Sequence, residues 1–280
     1  MKQTVSIRMM QTLKEAVATL ESGTADTMRR YLLSCRTPRG AFVGRNGRED
    51  LYYTTFGWLL SLVMDIPPVG SEADWLKAQP LEPADPVHAA AWVKCHLLAA
   101  TRQRLPLLLV NLRRNKALVP NACPEHPYAT FLQLGMAEDL NRRVYPFKEK
   151  WLPLLDAHKT PDGGYSNVSG STALATEATA AALVVKGQML GYDPAAAQPL
   201  RAAQTESGGW KASSGAPVPD LLSTATALFA LKQSGCRPRM DATGFVEAHY
   251  HPDGTFVPTL LDDTGDVEYL FYGLLALGSL

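Results

Sequence analysis

Acidic side chains stand at equivalent places in several helical segments of the sequence. Asp50, Asp220 and Asp266 each precede a segment in which apolar residues recur at helical spacing. If these helices lie side by side, their carboxylates gather at one end, where they could hold Mg²⁺ together with a diphosphate. The same carboxylates could instead cap the helices, which is the usual role of Asp at such a position. The residues near these starts that we predict to bind a ligand are Asp50, Tyr53, Glu177, Glu268 and Tyr269.

A second acidic cluster lies in the stretch DDTGD, which holds Asp262, Asp263 and Asp266. Adjacent carboxylates raise one another's pKa, so one of them could stay protonated and act as an acid. Negative charge before a helix is also favourable in itself, because the N-terminal end of a helix carries partial positive charge. The candidate catalytic residues are Asp220, Asp263 and Asp266.

A short turn that ends in an aromatic residue positions these segments. The turn reads DGGY, GGW, DGTF and RGAF, and its aromatic residues are Tyr165, Trp210, Phe256 and Phe42. Aligned on Gly164, Gly209 and Gly254, three of the turns recur at intervals of 45 and 45 residues, which indicates a repeat architecture. The glycines allow backbone conformations that other residues resist, and we expect the aromatic side chains to pack between neighbouring repeats.

Each turn joins two segments with helical spacing. The first segments include residues 147–159, 194–204 and 240–250, and the second segments include residues 171–190, 220–234 and 266–278. No run of alternating β-branched residues is long enough to indicate a sheet. We therefore predict an all-α fold, a single domain over residues 1–280, in which about five helical hairpins place their first helices outside and their second helices inside. One hairpin, at about 67–145, is irregular because no glycine–aromatic turn joins its segments.

The repeat resembles that of two related families. QTESGGW, residues 204–210, matches the Q-x-x-x-G-x-W core of the repeat in squalene and other triterpene cyclases. The GGY and GGW turns, each followed by an inner helix, look like those of the β-subunit of protein prenyltransferases. The resemblance runs from about residue 147 to the C-terminus and includes about 25–65. It implies an α/α toroid, a barrel of inner and outer helices whose apolar mouth accepts an isoprenoid chain.

The sequence departs from the prenyltransferase pattern at the residues that carry the chemistry. Those enzymes hold a zinc ion with an Asp, a Cys two residues later and a His in the last inner helix. Asp220 matches the Asp, but Leu222 and Tyr269 stand at the other two positions, so we expect no zinc site. At three positions that contact the diphosphate in that family, the sequence has Thr179, Ser214 and Pro217. The cofactor that remains open is Mg²⁺ bound together with a diphosphate ligand.

Three functions follow from the resemblance. The first is a prenyltransferase-like protein that binds an isoprenoid or a similar apolar ligand in a central cavity without the zinc–thiolate site. The second is a non-catalytic toroid that binds a lipid or a partner protein, since prenyltransferase β-subunits work with a separate helical subunit. The third is a cyclase-like enzyme in which an Asp protonates an alkene, although the sequence has no D-x-D-D motif and one barrel rather than two.

Composition bears on partners and location. Lys and Arg number 27 and Asp and Glu number 27, so the chain lacks the positive charge that nucleic-acid-binding proteins use. No apolar run approaches the roughly 18 residues that a membrane-spanning helix needs. The 4 cysteines include no closely spaced pair, which favours reduced thiols and a cytoplasmic location.

Overall fold

The computed structural model describes residues 3–103 and 123–280 and, between these ranges, Leu112, Arg114, Asn115 and Leu118. The other residues from 104 to 122, which belong to the predicted irregular segment, lie outside the described residues. The described part of the chain is helical with isolated β-bridges, so the predicted all-α class is confirmed. Its helices are α1 (Val5–Thr19), α2 (Ser22–Ser34), α3 (Leu51–Val63), α4 (Glu72–Lys77), α5 (Pro86–Gln103), α6 (Pro127–Asp139), α7 (Lys148–Ala157), α8 (Thr176–Leu190), α9 (Gln198–Ala202), α10 (Leu221–Gln233), α11 (Thr243–Ala248) and α12 (Val267–Ser279).

Aspartates begin three of the long helices by capping them. Asp50 accepts a hydrogen bond from the Tyr53 amide at 2.7 Å at the start of α3. Asp220 and Asp266 accept the equivalent bond at the starts of α10 and α12, at 2.7 and 3.0 Å. Such a carboxylate satisfies an amide that has no partner within the helix and stabilises the helix by about 1 kcal/mol. The capping alternative is therefore confirmed for all three aspartates.

The glycine–aromatic turn has the same backbone in all four places. The glycine two residues before the aromatic has a positive φ, which is +84° at Gly40, +86° at Gly163, +90° at Gly208 and +101° at Gly254. Residues with a Cβ rarely adopt this conformation, so the turn requires glycine. Gly254 is thus equivalent to Gly208 and not to Gly209, and the repeat intervals of 45 and 45 residues are corrected to 45 and 46.

The aromatic residue of each turn is a packing residue, as predicted. Phe42, Tyr165, Trp210 and Phe256 are all at most 5% exposed. Three of their amides donate to a threonine of the next helix, Phe42 to Thr54 at 3.0 Å, Tyr165 to Thr179 at 2.9 Å and Trp210 to Thr224 at 2.9 Å. Thr179, which stands where prenyltransferases have a His, is therefore part of the repeating turn structure.

Six helices, which we call the circuit helices, form a closed series of contacts. In order they are α3, α5, α6, α8, α10 and α12, and α12 packs back on α3. The shorter helices pack against them: α2 on α3, α4 on α5, α7 on α6 and α8, α9 on α8 and α10, and α11 on α12. The expectation of about five hairpins is wrong for the irregular one. Its first helix, α5, was expected outside, but it lies in the same series as the predicted inner helices.

Helix α1 lies across the ends of several circuit helices. The Val5 amide donates to Glu138 in the last turn of α6 at 2.8 Å, and Arg8 donates to Gln233 at the end of α10 at 2.9 Å. Gln188, near the end of α8, donates to the carbonyl of Gln3 at 2.9 Å. The C-terminal ends of these helices therefore share one covering helix. Among the described helices, none has the length and apolar character needed to cross a bilayer.

Candidate functional site

A cavity of about 490 Å³ lies between the circuit helices. Its lining is mainly apolar and includes one or more residues from each of the six helices, with Met9 of α1. Representative residues, one from each circuit helix in order, are Phe56, Ala90, Phe131, Val184, Phe229 and Leu275. A cavity of this size and composition is typical of a site for a small apolar molecule.

The circuit helices present equivalent positions to the cavity. The second residues of these helices are Tyr52, Val87, Tyr128, Glu177, Leu222 and Glu268, and the first five of these line the cavity. The sixth residues are Phe56, Ala91, Leu132, Ala181, Thr226 and Tyr272, and all of these line it. Positions four apart lie on one face of a helix. The helices are therefore in register, and their second residues form one end of the cavity, which we call the polar end.

At the polar end, Tyr52 of α3 and Glu268 of α12 form a hydrogen-bonded pair. The Tyr52 hydroxyl donates to Glu268 Oε1 at 2.5 Å, and Glu268 is 9% exposed. Burial raises the pKa of Glu268 to about 7, the Tyr52 hydrogen bond lowers it in part, and the nearby Asp266 raises it. Glu268 is therefore a carboxyl group that takes up and releases a proton near neutral pH.

Two carboxyl groups, Glu177 of α8 and the capping Asp220 of α10, lie on either side of the Ser223 hydroxyl. Ser223 Oγ is 2.7 Å from Glu177 Oε1 and 2.7 Å from Asp220 Oδ2. One hydroxyl has a single proton, so it cannot donate to both carboxylates at once. Burial raises the pKa of both Glu177 and Asp220. The geometry and the pKa directions together fit a pair that retains one proton, with the protonated carboxyl donating to Ser223.

Two tyrosines add hydroxyl groups to the cavity lining. Tyr128 of α6 and Tyr272 of α12 both line the cavity. Neither hydroxyl has a hydrogen-bond partner among the residues that the structure describes. Burial raises the pKa of both, and the Glu268 carboxyl adds to the effect, so both hydroxyls keep their protons. They are hydrogen-bonding groups available to a bound molecule.

Lys94 lines the cavity on the side of α1. Its ammonium group donates to Asp139 of α6 and to Ser6 of α1. Within the described ranges, Lys94 is the one basic residue of the lining, and it is already paired. The polar end therefore has carboxyl and hydroxyl groups in its lining without a basic side chain beside them.

The predicted acidic cluster lies apart from the cavity lining and is neutralised by Arg45. The guanidinium of Arg45 donates to Asp262 at 2.8 Å and to Asp266 at 3.3 Å, and it lies 5.4 Å from the centre of the Tyr269 ring. The hydrogen bond from Arg45 lowers the pKa of Asp262. The expectation that these carboxylates raise one another's pKa is therefore wrong for Asp262, because a cation from another loop lies between them.

The structure places the other predicted residues around this end. Asp263 is exposed, and its carboxylate is 3.5 Å from the Thr264 hydroxyl, so it is not brought to the cavity. Burial raises the pKa of the Asp50 carboxyl and raises the pKa of Tyr269 to about 12. Tyr53 is half-buried, and its ring packs edge-on against Tyr52 at 5.5 Å. Of the eight predicted residues, Glu177 lines the cavity and Glu268 is bonded to a lining residue.

The predicted site residues do not include Tyr52, Tyr128, Ser223 and Tyr272, which the structure places at the site. A signal for two of them was present, because Tyr52 and Tyr128 occupy the second position of their helices, as Glu177 and Glu268 do. Other aromatic residues divide between cavity and core. Phe56 lines the cavity, whereas Trp58 is fully buried and donates to the carbonyl of Gly40 at 2.8 Å.

Metal binding has no preformed site in the described ranges. No group of three or more His, Cys, Asp or Glu side chains within them could hold a metal ion. The three capping aspartates each use their carboxylate on their own helix. A Mg²⁺ ion at the polar end would therefore depend on oxygen atoms supplied by the ligand.

Comparisons with known proteins give little guidance. No protein-family model and no curated protein matches the sequence. Among solved structures, a crystal structure of a protein from Actinoplanes is similar at 15% sequence identity, over 92% of this chain and 98% of that chain, with a TM-score of 0.41. That degree of likeness identifies neither a family nor an activity.

Proposed function

We propose that the chain is an α/α-toroid protein that binds an elongated apolar molecule, an isoprenoid or a similar hydrocarbon chain, in its central cavity. The observation that carries the proposal is the cavity itself, which the same positions of six successive helices line with mainly apolar side chains. The closed series of helix contacts, with a further helix packed on every member, supports the toroid arrangement. Burial of a hydrocarbon in such a cavity is favourable by about 25 cal/mol per Å² of apolar surface removed from water.

The composition of the lining disfavours a diphosphate as part of the ligand. Phosphate groups are usually held by Arg, Lys or a helix N-terminus. The lining carries Lys94, which is bonded to Asp139, and the polar end carries Glu177 and Tyr52. The N-terminal ends of the circuit helices at the polar end favour an anion, but three of them already use an amide on a capping Asp. A diphosphate there would also face acidic groups unless Mg²⁺ neutralised it. We expect the uncharged form of the ligand to bind better than the diphosphate.

Thermal unfolding with two matched ligands tests the proposal. Farnesol and farnesyl diphosphate share one hydrocarbon chain, and each is added with and without Mg²⁺. A ligand that binds only the folded state raises the melting temperature. We expect farnesol to raise it without Mg²⁺ and farnesyl diphosphate to have no effect without Mg²⁺.

A cavity-filling variant serves as the control. Ala90→Phe places a ring into the lining of the cavity on α5, and it should remove the effect of farnesol. A folded Ala90→Phe protein that still responds to farnesol would show that the ligand binds elsewhere. If neither compound raises the melting temperature of the unmodified protein under any condition, the proposed function is wrong.

One observation favours acid catalysis as a second function. Glu268 is a buried carboxyl group with a pKa of about 7, and its partner Tyr52 lines an apolar cavity. A carboxyl group that is protonated near neutral pH can act as a general acid, and the cyclase-like alternative requires an acid at the cavity. We propose Glu268 in this role in preference to Asp266, which is bonded to Arg45, and to Asp263, which is exposed to solvent.

Product analysis tests this second function. The protein is incubated with squalene or farnesol, and cyclised or hydrated products are identified by gas chromatography with mass spectrometry. Glu268→Gln should lose product formation, whereas Asp263→Asn, at an exposed carboxylate, should retain it. Loss in Asp263→Asn with retention in Glu268→Gln would reverse the assignment.

A further inference from the structure

The polar end of the cavity has an unbalanced charge. Glu177 lines it directly, and Glu268 contacts it through the hydroxyl of Tyr52. The bonded partners of these two carboxyl groups are Ser223 and Tyr52, which are neutral. Among the described residues, the lining has a basic side chain in Lys94 alone, which is bonded to Asp139 on the side of α1. Arg45 lowers the pKa of Glu268 from a distance, but it is bonded to Asp262 and Asp266. Buried carboxyl groups whose bonded partners are neutral are costly when ionised, and a bound cation would reduce that cost.

Aromatic rings form one wall that runs from this end into the cavity. Tyr52 packs edge-on against Phe56 at 4.9 Å, and Phe56 contacts Phe271 at 4.9 Å. Tyr272 lies 5.3 Å from Phe271 and 6.0 Å from Phe56. All four residues line the cavity. The faces of such rings attract a cation by about 0.5–2 kcal/mol.

The hydroxyls of Tyr128 and Tyr272 are a further, independent indication of a ligand. Both face the cavity, and neither has a partner within the described part of the protein. Both residues are of intermediate exposure, so their hydroxyls are open to the cavity and can donate or accept a hydrogen bond with a group that a bound molecule supplies.

We propose that the molecule held in the cavity carries a cationic nitrogen, an alkylammonium head group, which lies at the polar end between Glu177 and the aromatic wall. The inference rests on the proposed function, since the apolar part of the cavity holds the hydrocarbon tail. The ammonium group makes a charge-assisted hydrogen bond with the Glu177 carboxylate and lies against the rings of Tyr52 and Tyr272. Tyr128 and Tyr272 can also accept its remaining N–H bonds, which an anionic head group could not supply.

Calorimetric titration with three ligands of one chain length tests the head group. Dodecylamine, dodecanol and dodecyl phosphate are each titrated into the full chain below their micelle-forming concentrations. We expect the amine to bind at least about tenfold more tightly than the alcohol, because a charge-assisted bond and a cation–π contact add to tail burial. The phosphate should bind most weakly of the three.

Variants at the carboxyl groups locate the effect. Glu177→Gln should remove most of the tenfold preference for the amine while the affinity for the alcohol stays the same. Glu206→Gln, at an exposed glutamate on the surface, changes the net charge equally and should keep the preference. Melting temperatures of both variants without ligand establish that they are folded.

The outcomes separate the two proposals. Equal binding of amine and alcohol, tighter binding of the phosphate, or a preference that survives in Glu177→Gln would each overturn the cationic head group. In each of these cases the proposed apolar-ligand function would still hold if the Ala90→Phe variant no longer bound the ligands. Absence of binding by all three ligands would overturn both proposals together.

Discussion

Two carboxyl groups that start α12 have opposite electrostatic surroundings. Asp266 lies 3.3 Å from the Arg45 guanidinium and caps the helix, whereas Glu268, two residues later, accepts its hydrogen bond from the neutral hydroxyl of Tyr52. Both side chains are buried, at 4% and 9% exposure. Since burial is similar, the difference lies in the bonded partner: Arg45 is bonded directly to Asp266, whereas it lowers the pKa of Glu268 only from a distance. The comparison shows that a cluster of carboxylates in the sequence does not reveal which carboxyl group has a raised pKa. One arginine, bonded to some of them, compensates their charge and leaves another bonded to a neutral group.

The largest expected effect is that of Glu268→Gln on the pH dependence of stability. The pKa of Glu268 is about 7 in the folded protein and near the usual glutamate value when unfolded. Its protonated form therefore stabilises the fold at low pH, and this contribution is lost as pH rises through about 7. Gln cannot ionise. The free energy of unfolding of Glu268→Gln, minus that of the unmodified protein, should therefore increase by about 2–3 kcal/mol as pH rises from about 5 to about 8.

Urea unfolding at several pH values measures this gain. Glu206→Gln, which changes an exposed carboxylate, is the matched control. Its free energy of unfolding should differ from that of the unmodified protein by a nearly constant amount at all pH values. A constant difference for Glu268→Gln as well would mean that Glu268 is ionised in the folded protein throughout this range.

Next in size is the loss caused by Arg45→Met. The substitution leaves the buried Asp266 carboxylate without its cation and removes the contact with the Tyr269 ring. An uncompensated buried carboxylate costs about 1–3 kcal/mol, so we expect a loss of about 2 kcal/mol near neutral pH. Arg48→Met, at an exposed arginine three residues away, should cost less than about 0.5 kcal/mol. Equal losses in both variants, measured by urea unfolding, would remove the distinction between the two carboxyl groups.

A smaller effect is expected of Tyr52→Phe on the titration of Glu268. The hydrogen bond from Tyr52 lowers the pKa of Glu268, so its removal should raise that pKa further. Carbon-13 NMR of the glutamate side-chain carboxyls follows the titration. Tyr53→Phe, at the neighbouring ring, should leave it unchanged. An unaltered titration in Tyr52→Phe would mean that the hydrogen bond from Tyr52 does not affect the pKa of Glu268.

The smallest effect is that of Asp263→Asn. Asp263 is exposed, and its carboxylate has a contact with Thr264 at 3.5 Å. Surface substitutions of this kind change stability by less than about 0.5 kcal/mol, and we expect the same here. A larger loss in urea unfolding would show that the whole acidic stretch, and not Asp262 and Asp266 alone, is coupled to Arg45.

Local features of the fold could be predicted from the sequence, because their causes lie within a few residues. Asp50 caps α3 through an amide three residues later, and the turn glycines are set by backbone conformation at one position. The environment of Glu268 could not be predicted in the same way. Its partner Tyr52 is 216 residues away in the chain, and Arg45 is 221 residues from Asp266.

The place of α5 in the circuit was also hidden in the sequence. No glycine–aromatic turn precedes α5, so the repeat did not identify it. Its contributions to the cavity at the second and sixth positions are Val87 and Ala91, which are apolar and give no chemical signal. Only the contacts of α5 with both α3 and α6 reveal that it is equivalent to the other circuit helices.

The position of α1 has a consequence for the order in which the chain can assemble. Helix α1 is made before the other described helices, but its most extensive contacts are with α12, the last described helix, and it also contacts α3 and α6. Contacts between such distant segments form slowly, because the loop between them must be closed first. During translation, α1 is therefore without its main partner until α12 is made. The end of the cavity that α1 covers cannot close before that point.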